Sequence, residues 1–408
     1  MSTLALKEHA SPVDASPEAP AKSRAELVEL AHEIGAFAWE NREEAERERR
    51  MPDVVVEKLR ASGLMKLCRH RKWGGAEADP MTFLDVGREL ARGYGSLGWI
   101  FSVLGFHEWY MALTSDEMQR DIWANEPDAF VCNSFAPTGM AESVADGYVL
   151  NGRWRFCSGI EWASWIGLAT FTVPPGSDRP EMMLFFVPKK DITVHDDWFT
   201  LGLRGTASRA VTAEQVFVPK HRTLQLIASG YERGPVVEDG PLWRMPTMTM
   251  QGLAILTPSV GIAQRMVDEG HAWTKQRFRP LQGVGAEELP VAQLTYADAA
   301  TRWDAVWTLA QRYAQYGWDR AHSGESFILT DEERAQLFSW RGFIGRTSIE
   351  ICDELFTSSG AMAVFDSHPM QQVFRDIHAA GVHVGVDRAD AYTSRGKVAF
   401  GFPGNPVH

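Results

Sequence analysis

The spacing of hydrophobic and polar residues divides the chain into three blocks. In the first block, from residue 23 to about 123, apolar side chains recur every three or four positions, most clearly over residues 27–38 and 81–109. This period is typical of amphipathic helices. The Trp-Gly-Gly sequence at residues 73–75 predicts a turn between the two helical stretches.

The middle block, from about residue 129 to 220, has a different pattern. Short runs of β-branched and aromatic residues, such as residues 183–187 and 216–218, are separated by turn signals at residues 146–147 and 174–176. This combination predicts an antiparallel β domain.

The helical period returns in the third block, from about residue 236 to 394. The order of helices, strands and helices predicts an α+β fold. We divide the chain into a disordered leader at 1–22, an N-terminal helical domain at 23–128, a middle β domain at 129–222 and a C-terminal helical bundle at 223–408.

Composition narrows the class of protein. The 408 residues include 41 basic and 53 acidic side chains, and the net charge of −12 argues against nucleic acid or an anionic membrane as the partner. The sequence has no apolar run long enough to span a bilayer, and the leader lacks the apolar core of a signal peptide, so we expect a cytoplasmic protein. The 15 tryptophans, against 8 tyrosines, favour flat apolar surfaces in a core or a ligand pocket.

Two short motifs have structural explanations. Gly93, Gly95 and Gly98 match the glycine spacing of dinucleotide-binding proteins, but that fingerprint needs a preceding strand and here a helical pattern precedes it. We therefore expect a helix–helix turn. Glu29-x-x-His32 has the spacing of a di-iron ligand pair, yet it occurs once and such a site needs two copies, so no metal is expected.

The surroundings of His383 allow several interpretations. In a helix, His383 shares a face with Asp376 and Asp387. A histidine beside two carboxylates can be a metal ligand, an oriented acid–base group or a structural residue held by hydrogen bonds. All three stay open on this pattern alone.

Two segments of the middle block combine small residues with hydroxyl groups. Residues 151–159 place a tryptophan, a serine and a glycine where the chain leaves a strand, and residues 202–208 contain Arg204, Thr206 and Ser208. Small residues permit close backbone approach, and hydroxyl and guanidinium groups can hydrogen-bond a heteroaromatic ring or a phosphate. Each segment alone is typical of a β-turn, but their co-occurrence favours a ligand site.

The chain resembles the acyl-CoA dehydrogenase superfamily along nearly all its length. The resemblance lies in residues 73–75, 146–152, 202–206 and 218–219 and in the pair Arg375-Asp376. It implies an α+β fold with an N-terminal helical domain, a middle antiparallel β-barrel domain and a C-terminal four-helix bundle. Members bind flavin between the β domain and the bundle, commonly as homotetramers.

Two departures separate the chain from the dehydrogenases of that superfamily. Their Gly-Ser-Asp type signature is missing from residues 134–140, and the segment after Asp376 contains His383 and no glutamate. Without a strong base at the substrate α-carbon, dehydrogenation lacks its key group. An acyl-CoA dehydrogenase is therefore the alternative hypothesis.

The pattern is more similar to the oxygenase components of two-component flavin-dependent monooxygenases, the family that includes hydroxylases of p-hydroxyphenylacetate and of phenolic secosteroids. The shared features are Ser96-x-x-Trp99, His107-x-Trp109, residues 152–159, residues 202–208 and the pair Arg375-Asp376 followed by His383. The resemblance implies that reduced flavin, FMNH2 or FADH2, comes from a separate NAD(P)H-dependent reductase. It further implies that this flavin reacts with O2 to form a C4a-hydroperoxide, which hydroxylates a small aromatic, phenolic substrate.

The same resemblance implies roles for individual residues. Ser158 corresponds to a hydroxyl near flavin N5, His383 to a histidine that stabilises the hydroperoxide, and His107 to one that holds the phenol and helps it ionise. The implied cofactor contacts are Trp154, Ser158, Gly159, Arg204, Thr206, Ser208 and, reaching a neighbouring subunit's flavin, Arg277. The implied substrate contacts are His107, Trp109, Asn133, Ser134 and Trp162.

The colour of the purified protein separates the leading hypotheses. A dehydrogenase is expected to retain oxidised flavin and to be yellow, whereas an oxygenase component is expected to be nearly colourless and to bind the reduced form. Visible absorbance of the purified chain checks this, and a full complement of oxidised flavin would contradict the oxygenase hypothesis.

Further alternatives are a monooxygenase acting on nitrogen, sulfur or an indole, and a flavin-binding sensor without enzymatic activity.

Overall fold

The structure is a computed structural model that describes residues 22–174, 178, 180–226, 240–324 and 328–405. In this part of the chain a helical region, a sheet and a second helical region follow one another in the predicted order. The predicted disordered leader lies outside the described residues except for Lys22, and so does most of the predicted turn at residues 174–176.

The N-terminal region is helical, as predicted. Its helices are α1 (Arg24–Glu40), α2 (Arg42–Glu48), α3 (Asp53–Ala61), α4 (Pro80–Gly93), α5 (Gly95–Met111) and α6 (Asp116–Trp123). Helix α1 begins at Ser23 with a capping box that Glu26 completes, which satisfies backbone N–H groups at its first turn. Every residue of α5 is buried, because the helix lies between α4, the first strand of the sheet and the C-terminal helices.

The three glycines of the apparent nucleotide fingerprint form a helix–helix junction, which confirms that prediction. Gly93 ends α4 and Gly95 begins α5. A methyl group at Gly93 would lie 2.3 Å from the Cα of Gly35, and one at Gly98 would lie 2.2 Å from the Cβ of Ala91. These glycines therefore serve close helix packing.

The middle region is a seven-stranded mixed sheet. Its strands are β1 (Phe130–Val144), β2 (Gly147–Cys157), β3 (Ala163–Thr172), β4 (Glu181–Pro188), β5 (Thr193–Val194), β6 (Arg209–Pro219) and β7 (Thr223–Leu226). They lie in the order β5-β6-β2-β1-β3-β4-β7.

The prediction of a purely antiparallel sheet is wrong at one pairing. Strand β1 pairs antiparallel with β2 on one side but parallel with β3 on the other. The reason is connectivity: the β1–β2 hairpin occupies one edge of β1, so β3 adds to the other edge after β2 has carried the chain back. Among the described strands, β5 and β7 form opposite edges and do not pair, so the described sheet is open and does not close into the barrel that the resemblance implies.

The C-terminal region is helical, as predicted. It contains α7 (Thr247–Gln276), α8 (Pro290–His322), α9 (Asp331–Ser358), α10 (Pro369–Ala380) and α11 (Arg388–Ala399), with a small ribbon of β8 (Phe278–Arg279) and β9 (Val284–Gly285) between α7 and α8. Helices α7, α8 and α9 pack on one another, and α7 also contacts α4, α5 and α10. Helix α7 is therefore shared between the two helical regions. No described helix has the length and apolarity needed to cross a membrane.

The packing at Gly98 predicts a measurable loss of stability. In Gly98→Ala the new methyl group overlaps Ala91, so we expect a loss of about 1–3 kcal/mol in the free energy of unfolding. Gly396→Ala is the matched control, because Gly396 lies in α11 with no neighbouring atom within 4 Å of the added Cβ. Urea unfolding of both variants checks this. A Gly98→Ala protein as stable as the wild type would contradict the packing argument.

Candidate active site

Three side-chain hydroxyls meet where the chain leaves β2. Ser158 Oγ lies 2.7 Å from Ser208 Oγ, which lies 2.7 Å from Thr206 Oγ1. The indole N–H of Trp99 donates to Ser158 Oγ at 3.1 Å, and Thr206 donates to the carbonyl of Leu203 at 2.8 Å. The three predicted hydroxyl residues, Ser158, Thr206 and Ser208, therefore form one buried row of hydrogen-bonded side chains, the hydroxyl chain.

Counting the available protons fixes which hydroxyl donates and which accepts at each step of the hydroxyl chain. Thr206 uses its single proton on the carbonyl of Leu203, so it accepts from Ser208, which in turn accepts from Ser158. Ser158 also accepts from Trp99. Since a hydroxyl oxygen has two lone pairs, Ser158 keeps one for a ligand and acts towards it as an acceptor.

The loop that carries Thr206 and Ser208 is held by Asp376. Leu203 and Ala207 are non-glycine residues with φ of 52° and 46°, a backbone conformation that persists only when its surroundings maintain it. The N–H of Leu203 donates to Asp376 Oδ1 at 2.7 Å. Burial raises the pKa of Asp376 to about 8. Asp376 thus positions the hydroxyl chain from the end of α10.

His383 packs against Trp99, with the two ring centroids 5.8 Å apart. Its Nδ1 accepts from the N–H of Gly385 at 3.0 Å, so the neutral ring carries its proton on Nε2. Removal from water, and then the charge of Arg341, lowers the pKa of His383 to about 4. His383 is therefore neutral at physiological pH, and its Nε2–H makes no hydrogen bond to any described residue.

The carboxylates near His383 in sequence do not join it. Asp376 bonds the loop at Leu203, and Asp387 caps α11 by accepting from the N–H of Asp390 at 3.0 Å. No group of three or more candidate metal ligands occurs among the described residues. The arrangement around His383 thus favours an oriented hydrogen-bond donor over a metal ligand.

His107 lies further along α5 and has the opposite tautomer. Its Nδ1 lies 3.1 Å from the carbonyl of Val131, which can only accept, so the proton is on Nδ1 and Nε2 is an acceptor. Burial lowers the pKa of His107 to about 3. The ring of Phe135 lies 6.0 Å away, so the surroundings are apolar on that side.

Asn133 is a buried amide without partners. It lies in β1 between Val131 and Phe135, and alternation along the strand places these three side chains on the same face. Neither Oδ1 nor Nδ2 of Asn133 has a hydrogen-bond partner among the described residues, although the residue is only 5% exposed. Buried polar groups are almost always bonded, so this amide fits a ligand. A methyl group at Gly167 would lie 2.3 Å from Asn133 Oδ1 and would crowd it.

Ser134 lies on the other face of β1. Its hydroxyl donates to the carbonyl of Arg155 at 2.9 Å, so it connects β1 to β2. Of the two neighbouring positions predicted to contact substrate, the structure therefore brings Asn133 and not Ser134 to the face near His107.

The indole N–H groups of the three predicted tryptophans donate to oxygen atoms of the protein. Trp154 and Trp109 are completely buried, and their indole N–H groups donate to the carbonyls of Ala169 and Leu242 at 2.7 and 2.9 Å. Trp162 donates to a carboxylate oxygen of α3 at 3.2 Å. These side chains support the core and the domain contact, and none is bonded to the hydroxyl chain.

The predicted arginines are also separate from the hydroxyl chain. Arg204 Nε donates to the carbonyl of Thr200 at 2.8 Å. Arg277 follows α7 and donates to the carbonyl of Ser358 at 3.0 Å. Ile255 of α7 is the residue near the His383 turn, and at 1.5 Å per residue Arg277 lies about 33 Å further along. Arg277 is therefore remote from the site of its own chain.

Trp99 joins the predicted site residues in the structure, although it was part of a shared pattern without an implied role. Its indole links the hydroxyl chain to His383, through a hydrogen bond on one side and a ring contact on the other. Its sequence signal is the pattern Ser96-x-x-Trp99, but that pattern does not indicate that the indole N–H reaches a serine at the end of β2.

Family comparisons agree with this architecture. Residues 22–126 match the family described as "Acyl-CoA dehydrogenase, N-terminal domain", and residues 253–388 match "Acyl-CoA dehydrogenase, C-terminal domain". These two segments flank the sheet.

Individual relatives are similar over most of their length. The oxygenase subunit HsaA of a flavin-dependent monooxygenase from Rhodococcus jostii is 35% identical over 89% of this chain and 95% of its own. The oxygenase component of an FADH2-dependent resorcinol hydroxylase from a Rhizobium species is 30% identical over 84% of this chain and 86% of its own. The crystal structure of the HsaA monooxygenase from Mycobacterium tuberculosis superposes with a TM-score of 0.86 at 30% identity, covering 94% of this chain and 99% of that one.

The buried state of His107 predicts a pH dependence of stability. The pKa of His107 falls from 6.5 to about 3 on folding, so between these values the unfolded chain binds a proton that the folded chain does not. The contribution of His107 to the free energy of unfolding is therefore fully present above the pKa of the unfolded state. It is lost as the pH falls below that value, by up to about 1.4 kcal/mol per pH unit.

His107→Asn tests this, because its amide can still donate to the carbonyl of Val131 but does not titrate. We expect the loss in unfolding free energy between about pH 7 and about pH 5 to be smaller in His107→Asn than in the wild type. Urea unfolding at both pH values measures the difference. Equal losses in both proteins would show that His107 is not held neutral by burial.

Proposed function

The chain belongs to the acyl-CoA dehydrogenase family, among the oxygenase components of flavin-dependent monooxygenases, and we propose that it hydroxylates a small phenolic compound with reduced flavin and O2. One observation carries this proposal. Two neutral histidines occur along buried helix α5, His383 against Trp99 as a hydrogen-bond donor and His107 within the helix as an acceptor. This pair suits a reaction that holds an oxygen atom at one point and a phenol at another.

Reduced flavin, FMNH2 or FADH2, supplies the electrons that activate O2 when it is bound. The residues present fit such a group, since Ser158 retains an acceptor lone pair and the N5–H of a reduced flavin is a donor. Oxidised flavin has no proton at N5. The direction of the hydroxyl chain therefore favours the reduced form, and Gly159, Thr206 and Ser208 form the adjoining wall.

His383 holds oxygen without protonating it. Its Nε2–H can donate one hydrogen bond, while its low pKa withholds the proton whose transfer releases hydrogen peroxide. The apolar rings of Trp99 and its neighbours exclude water from the same region.

His107 and Asn133 hold the phenol. The bare Nε2 of His107 accepts from the phenolic hydroxyl and draws electron density towards the ring, which makes the ring a better nucleophile. The unbonded amide of Asn133 gives the substrate a second polar contact. Phe135 and Phe106 supply flat apolar surface beside His107.

The proposal includes a separate NAD(P)H-dependent flavin reductase and a homotetramer. The names of the two relatives above, an oxygenase subunit and an oxygenase component, support the first. The second follows from the predicted flavin contact of Arg277, because Arg277 lies too far from its own hydroxyl chain to reach a flavin bound there and the contact would need a neighbouring subunit.

The variant His383→Asn tests whether His383 couples oxidation of the flavin to hydroxylation of the substrate. Asparagine is a good N-cap residue and can accept from Gly385, but it lacks the distal N–H. Because loss of one preorganised donor lowers rates by about 10²–10³-fold, we expect hydroxylated product per NADH to fall and hydrogen peroxide to rise. The assay supplies flavin reductase, NADH, flavin and a panel of phenols.

His378→Asn is the matched control, because His378 lies on α10 with its ring bonded to the carbonyl of Phe374 and to Asp353. It should keep the wild-type ratio of product to peroxide. A fully coupled His383→Asn enzyme would remove His383 from the mechanism. Failure of the wild type to oxygenate any phenol would contradict the proposed function itself.

The variant Asn133→Leu tests the proposed contact between the Asn133 amide and the phenolic substrate. The change keeps the volume and removes both polar atoms, so we expect KM for the phenol to rise by roughly five- to 100-fold, which corresponds to about 1–3 kcal/mol. Ser134→Ala is the control, because that hydroxyl is bonded to Arg155 on the other face of β1. Steady-state kinetics at saturating reduced flavin give both values. An unchanged KM in Asn133→Leu would show that the substrate does not reach this amide.

A further inference from the structure

Arg69 and Glu108 form an ion pair in the interior of the N-terminal region. Arg69 lies in the connection between α3 and α4, and Glu108 lies in α5 directly after His107. Neither charged side chain is more than 1% exposed, and the Nε–H of Arg69 donates to Oε2 of Glu108. A buried ion pair is often no more stabilising than apolar residues of similar volume, so this pair calls for a reason other than stability.

The guanidinium of Arg69 also holds the chain that leads into β1. Its terminal nitrogens donate to the carbonyl of Pro127 at 2.5 Å and to that of Ala129 at 3.2 Å. The guanidinium carbon lies 4.4 Å from the ring centroid of Trp123, whose indole N–H donates to the same Ala129 carbonyl at 3.2 Å. Because the guanidinium is a rigid plane of donors, it fixes Glu108 and the two carbonyls relative to one another.

This connection lies next to the hydrogen bond that sets the tautomer of His107. On α5, His107 precedes Glu108, and at the start of β1, Ala129 lies two residues before Val131. Arg69 joins Glu108 to Ala129. His107 bonds directly to the carbonyl of Val131. Two adjacent residues of α5 are therefore joined to one short segment of chain, and the first connection limits how far α5 can move relative to the second.

The Trp-Gly-Gly turn at residues 73–75 holds the backbone of Arg69. A methyl group at Gly75 would lie 1.9 Å from the carbonyl oxygen of Arg69 and 2.6 Å from its Cβ, so only glycine fits there. The backbone N–H of Glu77 donates to the same carbonyl at 3.3 Å. The turn therefore packs against Arg69 and helps to keep it where its side chain reaches Glu108.

We propose that Arg69 and Glu108 are positioning residues for His107. They hold α5 against the start of β1, so that the carbonyl of Val131 takes the Nδ1 proton of His107 and Nε2 is left as an acceptor. Without this connection His107 can lose the carbonyl, and a ring with its proton on Nε2 cannot accept from a phenol. The consequence for phenol binding rests on the proposed function, whereas the tautomer does not.

The double variant Arg69→Met/Glu108→Met tests the proposal, because it removes both charges and leaves no unpaired ion. We expect an unfolding temperature close to that of the wild type. In nitrogen NMR of histidine-labelled protein, the His107 signal should change from the Nδ1–H form to a mixture of tautomers. KM for the phenol should rise by up to roughly tenfold, for the loss of one hydrogen bond. A wild-type His107 signal in the folded double variant would overturn the proposal.

The variant Arg69→Lys gives the answer if the double variant does not fold. Lysine keeps the positive charge beside Glu108 but lacks the planar fork that reaches two carbonyls at once. We expect the His107 signal to change in the same direction. An unchanged signal in Arg69→Lys would then count against the positioning role and overturn the proposal.

The matched control is Arg265→Met/Glu269→Met, which removes an ion pair at 2.7 Å within α7. It should keep the wild-type His107 signal and KM, and a change as large as that in the Arg69 variants would overturn the proposal. If the wild type oxygenates no phenol, the comparison of KM values fails together with the proposed function. The His107 signal still decides the role of Arg69 in that case.

Discussion

Two backbone hydrogen bonds give two buried histidines opposite tautomers, and the chemistry of the site follows from that difference. The carbonyl of Val131 places the proton of His107 on Nδ1, whereas the N–H of Gly385 places that of His383 on Nε2. Because removal from water lowers both pKa values, neither ring carries a charge at physiological pH. At its remaining ring nitrogen, His107 can therefore only accept a hydrogen bond and His383 can only donate one.

The rest of the fold keeps this pair in place. Helix α5 is buried on every side and carries both His107 and Trp99, so its position relative to the sheet and α7 is set by packing. Trp99 bridges the hydroxyl of Ser158 and the ring of His383. Asp376, at the end of α10, holds the strained loop at Leu203 that completes the hydroxyl chain. Elements from all three regions thus converge on one site.

Much of the architecture could be predicted from the sequence, because hydrophobic period distinguishes helices from strands. The proximity of Ser158 to Ser208 was also foreseeable from two turn segments rich in hydroxyls. Period cannot give the direction of a neighbouring strand, so the parallel pairing of β1 with β3 was missed. Nor can it show which groups a tryptophan bonds: Trp109 is predicted to contact the substrate, and its indole N–H donates to the carbonyl of Leu242.

Nitrogen NMR of histidine-labelled protein tests the central claim most directly. Among the 12 histidines, His107 and His383 can be assigned from the signals lost in His107→Asn and His383→Asn. The account predicts two neutral rings near pH 7, with the proton on Nδ1 in His107 and on Nε2 in His383. An imidazolium at either position, or the same tautomer at both, would contradict it.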